Sequence, residues 1–230
     1  MASYVRRLFH ISAFSWYAFI VKTLAAKDGE ELPAGIFVYG GPWKYLTFLN
    51  LLLQTFLFGL ATVNDLQPGK NTEHVLSRCK DFIFSVFGFP VGMFVVVLFW
   101  TIFVYDRELV YPATIDTFFP PWINHAVHTV VLPLLLGEVL LQPHVYPQTK
   151  NALAALGAVS LAYMLWILWV YSSTGIWVYP ILGHFSSCGL VGFFFLNTSL
   201  VTLFYLLGER LNSLVWNKEV KHRAAKRKRQ

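Results

Sequence analysis

The chain has 230 residues, of which 56% are apolar and only 13% are charged, and its mean hydropathy is +0.54. An ordinary soluble domain carries roughly 25% charged residues, so this composition excludes the soluble, disordered and disulfide-rich classes. The formal net charge is +6, and most of it comes from one stretch at the C-terminus.

Six stretches that are nearly free of charged residues follow one another along the chain. They are numbered here as spans 1 to 6, at 8–25, 45–63, 82–105, 121–141, 152–171 and 183–207. A helix needs about 20 apolar residues to cross the hydrocarbon core, whereas a transmembrane barrel would show short alternating strands. The sequence therefore predicts an all-α membrane protein. It is expected to be a six-transmembrane helix bundle in one domain at 1–210, followed by a basic tail at 211–230.

The lysines and arginines are distributed unevenly between the two sides that six spans create. The side with both termini holds 14 of the 18 basic residues. Because cytosolic loops carry an excess of Lys and Arg, both termini are predicted to be cytosolic. The basic tail is expected to contact anionic lipid rather than nucleic acid. Its last basic run, Arg227-Lys228-Arg229, also resembles an endoplasmic reticulum retrieval signal, so the expected location is the plasma membrane and/or the endoplasmic reticulum.

Spans 3 and 4 contain residues that disturb a straight helix. Pro90 and Pro133 are each expected to kink their helix, and the kink in span 4 is expected to open a cavity beside His128. Gly88 and Gly92 form a small-xxx-small pattern, which favours close approach of a neighbouring helix.

Two spans of the same direction carry polar side chains into the membrane at a similar depth. Those of span 2 share one helix face and are Thr47, Asn50 and Gln54. Those of span 4 also lie roughly on one face and are Asn124, His125 and His128. Counted from the interfacial residues Lys44 and Trp122, Thr47 and His128 lie about 5 and 9 Å below the outer interface, at 1.5 Å per residue.

A threonine hydroxyl beside an imidazole is a pair that acyl transfer uses. The hydroxyl is a poor nucleophile at neutral pH, and a histidine is the usual base that activates it. Thr47 is therefore the candidate nucleophile and His128 the candidate base, with Asn50 or Asn124 as a donor to the oxyanion. Asn124, one turn before His128, is alternatively placed to orient its ring. An acid from the outer loop, at Asp106, Glu108 or Asp116, is a further candidate partner.

Other interpretations of these residues remain open. A transmembrane Thr commonly bonds to the carbonyl four residues back, and a transmembrane His commonly packs against another polar group. Three of the histidines also permit metal or haem ligation, namely His125, His128 and His184. No Cys or carboxylate joins them at ligand spacing, so no metal or cofactor is predicted.

Several motifs in the same order resemble the androgen-induced gene 1 family. They are Trp43-Lys-Tyr-Leu-Thr47, Phe89-Pro-Val-Gly92, Tyr105-Asp-Arg-Glu108 with Tyr111-Pro112, Trp122-Ile-Asn-His125-Ala-Val-His128-Thr129, Trp177-Val-Tyr-Pro180 and Tyr205-Leu-Leu-Gly-Glu209. Further stretches resemble one branch within that family, and these are Asn50-Leu-Leu-Leu-Gln54, Gln142-Pro-His144, Tyr146-Pro147 and the basic C-terminus.

This resemblance implies a multi-pass membrane hydrolase that cleaves fatty acid esters of hydroxy fatty acids. It assigns the nucleophile to Thr47 and the catalytic histidine to His128, with a lipid ester as substrate. Asn50, Asn124 and His125 are candidates for supporting roles, and the oligomeric state is left open. The alternative function is a non-enzymatic membrane scaffold or regulator, including a regulator of coagulation-inhibitor expression.

Overall fold

A computed structural model describes residues 2–26, 39–67, 72–117 and 119–228. The helices within these ranges are α1 Ala2–Ala26, α2 Leu46–Leu66, α3 Thr72–Ile83, α4 Phe89–Asp106, α5 Pro121–His128, α6 Val131–Leu141, α7 Thr149–Thr174 and α8 Ser187–Lys228. Short 3-10 turns occur at Gly41–Lys44, Arg107–Leu109, Ala113–Thr117 and Pro180–His184. No strand occurs in the described ranges. The basic residues Lys27, Lys70 and Arg229 lie outside them.

The prediction of six membrane spans is confirmed for the described part of the chain. Six helical stretches are long and apolar enough to cross a membrane, at Ser3–Ala26, Leu46–Leu66, Val75–Leu109, Pro121–Leu141, Thr149–Thr174 and Ser187–Asn217. Span 3 is longer than predicted because α3 continues it into a polar stretch, and helical hydrogen bonding does not end where the apolar residues do.

Span 3 forms the centre of the bundle. In its most apolar window 61% of the residues are buried, against 17% for span 5 and 11% for span 6. One core cluster joins spans 1 to 4, and two others join spans 5 and 6 to span 3 and to the segment before α8. Spans 5 and 6 are therefore peripheral, with most of their surface available to lipid.

The start of α1 and the part of α8 around Asn212 lie at one end of the bundle, here called the termini end. Arg6 of α1 contacts Asp65 near the end of α2, and the side chain of Asn212 in α8 bonds both backbone groups of His144. Helix α8 continues past residue 210 to a bend at Trp216, whose indole donates to the Val139 carbonyl at 2.7 Å. The compartment that this end faces remains a prediction.

Both predicted kinks correspond to irregular backbone. Before Pro90, residues Phe84–Gly88 form a π-helical turn. Span 4 is interrupted between α5 and α6, at Thr129 and Val130. Pro133 explains this break, since it has no amide hydrogen to donate and its ring clashes with the carbonyl of Thr129 four residues earlier.

The two glycines of span 3 lie where neighbouring helices approach closely. A Cβ at Gly88 would come within 2.8 Å of Leu57 Cδ2, and one at Gly92 within 2.6 Å of Leu135 Cδ1. Contacts this short do not occur between real side chains, so the small-xxx-small pattern permits the packing of span 3 against spans 2 and 4.

We expect Gly92→Ala to destabilise the protein by about 1–3 kcal/mol, because the added methyl overpacks the contact with Leu135. The matched control is Gly157→Ala in α7, where nothing lies within 4 Å of the added Cβ and the higher helix propensity of Ala is retained. Thermal unfolding of both purified variants in detergent tests this packing. Equal unfolding temperatures for the two variants would contradict it.

The two native cysteines allow the predicted topology to be tested. Cys79 in α3 lies toward the termini end and Cys188 opens α8 at the opposite end, and both are free and exposed. In sealed microsomes, whose cytosolic face is outermost, an impermeant thiol reagent should label Cys79 and reach Cys188 only after detergent is added. Cys79→Ser and Cys188→Ser assign the two signals. The reverse order of labelling would place the termini on the other side.

Candidate active site

Thr47 lies in the first turn of α2, and the start of this helix is held by tyrosines from distant parts of the chain. Tyr45 is extended and separates the Gly41–Lys44 turn from α2. The Leu46 amide donates to the Tyr179 hydroxyl at 2.9 Å. The Tyr179 and Tyr163 hydroxyls are 3.0 Å apart, and Tyr163 donates to the Lys44 carbonyl. Burial raises the pKa of Tyr179, so it stays protonated and can both accept and donate.

His128 is the last residue of α5, and the break in span 4 determines its surroundings. The Leu132 amide donates to the Thr129 carbonyl, which leaves the His128 carbonyl for the Trp100 indole at 3.0 Å. The His128 ring stacks on Phe99 with centroids 3.5 Å apart and planes 8° from parallel. Two aromatic residues of span 3 thus fix both the backbone and the ring of the histidine.

The hydroxyl and the imidazole that the sequence analysis paired are in contact. Thr47 Oγ1 lies 2.9 Å from His128 Nε2. The other ring nitrogen, Nδ1, lies 2.7 Å from Asn124 Oδ1 and 3.2 Å from the Asn124 backbone oxygen. A backbone oxygen only accepts, so Nδ1 carries the ring proton. In the neutral ring Nε2 is then the acceptor, and the Thr47 hydroxyl donates to it.

Asn124 therefore orients the imidazole, which is one of the two roles that the sequence left open. Asn50 is placed differently. Its Oδ1 accepts from Gln54 Nε2, which also donates to the Gly88 carbonyl, while Asn50 Nδ2 has no acceptor among the described residues. Asn50 is 1% exposed and one helical turn from Thr47 on the same helix face. The structure thus leaves a buried N–H donor beside the hydroxyl.

The other candidate residues, His125 and the acids of the outer loop, have contacts elsewhere than at Thr47. His125 Nδ1 contacts the Thr129 hydroxyl, and its ring stacks on Trp100. The outer-loop acids have their own contacts: Asp116 pairs with Arg107, Asp106 accepts from the Glu108 amide and Glu108 accepts from the Ala113 amide. Within the described ranges, no group of three His, Cys, Asp or Glu side chains has the arrangement of a metal site.

A cavity of about 350 Å³ opens beside Thr47. Its walls come from spans 2, 3, 5 and 6 and from the segment before α8, so it is distinct from the cavity expected at the break in span 4, which stays a prediction. The lining is almost entirely apolar, with residues such as Phe94, Leu98, Leu156 and Val201. Thr47 reaches the cavity wall, while His128 is buried behind it at 4% exposure. An apolar chain in the cavity would thus meet the hydroxyl rather than the ring.

Sequence reasoning missed two groups of polar residues. Tyr163 and Tyr179 are aromatic residues of a kind that is common at membrane interfaces, and their sequence separation hides their contact. A cluster of buried acids and histidines at the termini end was also missed, although Glu138 stands as a lone acid within span 4. An acid inside a span is costly unless it is paired, which was the available signal for a partner on another helix.

A family model described as FAR-17a/AIG1-like protein matches residues 5–213. The chain belongs to this family. The resemblance that the sequence motifs indicated is thereby confirmed, and it extends over nearly all of the described bundle.

Three relatives illustrate the degree of similarity. The human androgen-dependent TFPI-regulating protein is 41% identical over 213 residues, which are 91% of this chain and 92% of the relative. The rat protein of the same name is 42% identical over 224 residues, or 95% and 96% of the two chains. The human androgen-induced gene 1 protein is 41% identical over 189 residues, or 78% and 79%. Some stretches of the sequence, such as Asn50-Leu-Leu-Leu-Gln54, resemble one branch within the family. That branch is the androgen-dependent TFPI-regulating proteins. No solved structure matches the chain.

Proposed function

We propose that this FAR-17a/AIG1-like protein is an integral membrane hydrolase that cleaves fatty acid esters of hydroxy fatty acids. Thr47 is the nucleophile and His128 the general base. The observation that carries the proposal is the 2.9 Å contact from Thr47 Oγ1 to His128 Nε2, with the ring proton held on the opposite nitrogen by Asn124. An apolar cavity at Thr47 supports a substrate with a long acyl chain.

In the first half of the reaction, His128 Nε2 takes the Thr47 proton as Oγ1 attacks the ester carbonyl. The tetrahedral intermediate then collapses, the ester C–O bond breaks, and Nε2 returns the proton to the departing oxygen. A hydroxy fatty acid leaves and an acyl-threonine remains. In the second half, His128 takes a proton from water, the resulting hydroxide attacks the acyl group, and Thr47 regains its proton as the fatty acid is released.

Asn124 and Asn50 have different supporting roles. Asn124 keeps Nδ1 protonated, so that Nε2 always faces the nucleophile. A neutral amide suits this position, since a buried carboxylate in hydrocarbon would be costly to ionise. Asn50 Nδ2 is the donor that we assign to the oxyanion, because it is buried, has no acceptor among the described residues and lies one turn from Thr47.

The names of the relatives support a second candidate function. Proteins 41–42% identical to this chain over more than 90% of its length are named for regulating TFPI. This chain is then a membrane-embedded regulator of a coagulation inhibitor, either through its hydrolytic products or without catalysis. Variants that lose hydrolysis while staying folded distinguish these two routes, because only the first route loses regulation with them.

We expect Thr47→Ala and His128→Ala each to lower hydrolysis of a fatty acid ester of a hydroxy fatty acid by about 10³-fold or more, since neither group works without the other. The matched control is His125→Ala, which changes the other histidine of the same helix and should retain most activity. The measurement is product release by purified protein in lipid nanodiscs. Near-full turnover by either of the first two variants would show that the pair is not catalytic.

A covalent fluorophosphonate probe offers an independent test of the same pair. Labelling should require the Thr47 hydroxyl, so Thr47→Ala should lose it and Thr47→Ser should retain it, because serine keeps the nucleophilic oxygen. Labelling that persists in Thr47→Ala would point to another nucleophile.

Removing the proposed oxyanion donor should slow the chemistry more than it weakens binding. We expect Asn50→Leu to lower kcat by about 10²–10³-fold with little change in KM. Thr55→Val is the control, since its hydroxyl only bonds to the Leu51 carbonyl of its own helix. Steady-state kinetics on the folded variants provide the measurement. A kcat within twofold of wild type in Asn50→Leu would remove Asn50 from the mechanism.

A further inference from the structure

A second polar cluster lies at the termini end, away from Thr47 and outside the residues that line the cavity. Its members are charged or titratable side chains from α1, α2, α3, α6 and the loop before α7. They are Arg6, His10, Asp65, Lys80, Asp81, Glu138 and His144. All except Arg6 are buried, with 6% or less of each residue exposed. This set is called here the termini cluster, and the proposed hydrolysis does not use it.

His10 is held between two carboxylates. Its Nδ1 lies 2.8 Å from Asp65 Oδ2 and its Nε2 lies 2.7 Å from Glu138 Oε2. An ionised carboxylate only accepts hydrogen bonds, so both ring nitrogens must donate for both contacts to be favourable. The geometry is that of an imidazolium. Arg6 contributes further hydrogen bonds to Asp65, at 2.8 to 3.1 Å.

His144 also lies between two carboxylates, but more loosely. Its Nδ1 is 3.1 Å from Asp81 Oδ1, which is a hydrogen bond. Its Nε2 is 3.3 Å from Glu138 Oε1 without hydrogen-bond geometry, and that oxygen already accepts from Gln142 Nε2 at 2.8 Å. His144 thus makes one hydrogen bond to a carboxylate, whereas His10 makes two.

Asp65 and Glu138 are both buried, and a buried carboxylate is costly unless it is paired. We propose that the termini cluster is a binding site for a proton, which resides on His10 between the Asp65 and Glu138 carboxylates.

Within the described ranges, aromatic rings and a few polar groups are the other neighbours of the two histidines. Phe58 of α2 and Phe9 cover the His10 ring, and Phe84 stacks on His144 at 4.0 Å. Helix α8 presents Asn212, which bonds the His144 backbone, and Glu209, whose charge acts on Tyr146 beside Asp81. The Val145 amide donates to Asp81 at 3.3 Å.

The bound proton joins α1 to α2 and to α6 through His10. This polar link adds to the apolar packing of α1 against spans 2 and 4, which includes Phe9, Ala13 and Tyr17. Loss of the proton leaves a neutral His10 with one hydrogen for two carboxylates.

Nitrogen-15 NMR of histidine side chains in the purified wild-type protein tests the site directly. At about pH 8, where free histidine is neutral, one ring should retain the doubly protonated signature of imidazolium, and His10→Gln should remove that signal. Glu138→Gln removes one negative charge but keeps an acceptor for His10, so it should abolish the imidazolium signal in a folded protein. The matched control, Asp116→Asn, changes an exposed ion pair with Arg107 and should leave the signal intact.

Thermal unfolding against pH provides the second measurement. The wild-type unfolding temperature should fall once the pH is high enough for His10 to lose its proton. His10→Gln should remove this fall and lower the unfolding temperature at neutral pH by roughly 10 °C. The proposal is overturned if wild type shows no imidazolium at about pH 8 or if Glu138→Gln retains it. These outcomes are independent of ester hydrolysis, since the termini cluster does not line the cavity.

Discussion

The break in span 4 at Thr129 and Val130 is the constraint on which the candidate active site depends. Pro133 cannot donate to the carbonyl four residues earlier, so the regular helical hydrogen bonding is interrupted at this point. Freeing the His128 carbonyl allows the Trp100 indole to bind it, and Phe99 of the same helix holds the ring. The imidazole is therefore fixed from span 3, which suits the base role proposed for it, because preorganised groups are those that accelerate chemistry most.

Hydrocarbon explains why the polar residues occur in two tight groups. Every polar side chain that enters it must find a partner, and a partner on another helix also fixes the relative position of both helices. At the end of the bundle opposite the termini end, the polar partners are neutral, and they are Thr47, His128 and Asn124. At the termini end the polar partners include carboxylates and basic side chains that pair with one another. The first arrangement leaves the Thr47 hydroxyl at the wall of a cavity, whereas the side chains of the second bond mainly to one another.

Much of the fold was predictable from sequence because a membrane imposes simple rules. Uncharged stretches of about 20 residues identified the spans, and Pro90 and Pro133 identified the irregular turns. The similar depth of Thr47 and His128 followed from span direction and residue spacing, and the family resemblance implied that the two residues work together. The sequence offered Asn124 or an acid of the outer loop as the partner of His128. Only the structure shows that Asn124 is the residue that contacts Nδ1. Contacts between residues far apart in sequence, such as His10 with Glu138, depend on helix rotation and neighbour order, which periodicity does not provide.

The peripheral position of spans 5 and 6 separates two properties of the site. The reacting pair is built on spans 2 and 4 and braced by span 3, whereas much of the cavity wall belongs to α7 and α8. Those two helices bury the smallest share of their surface. In the proposed hydrolysis, a lipid that enters between these two helices from the bilayer would leave the pair in place. Substitutions along α7 and α8 would then change which acyl chains fit without altering the groups that react.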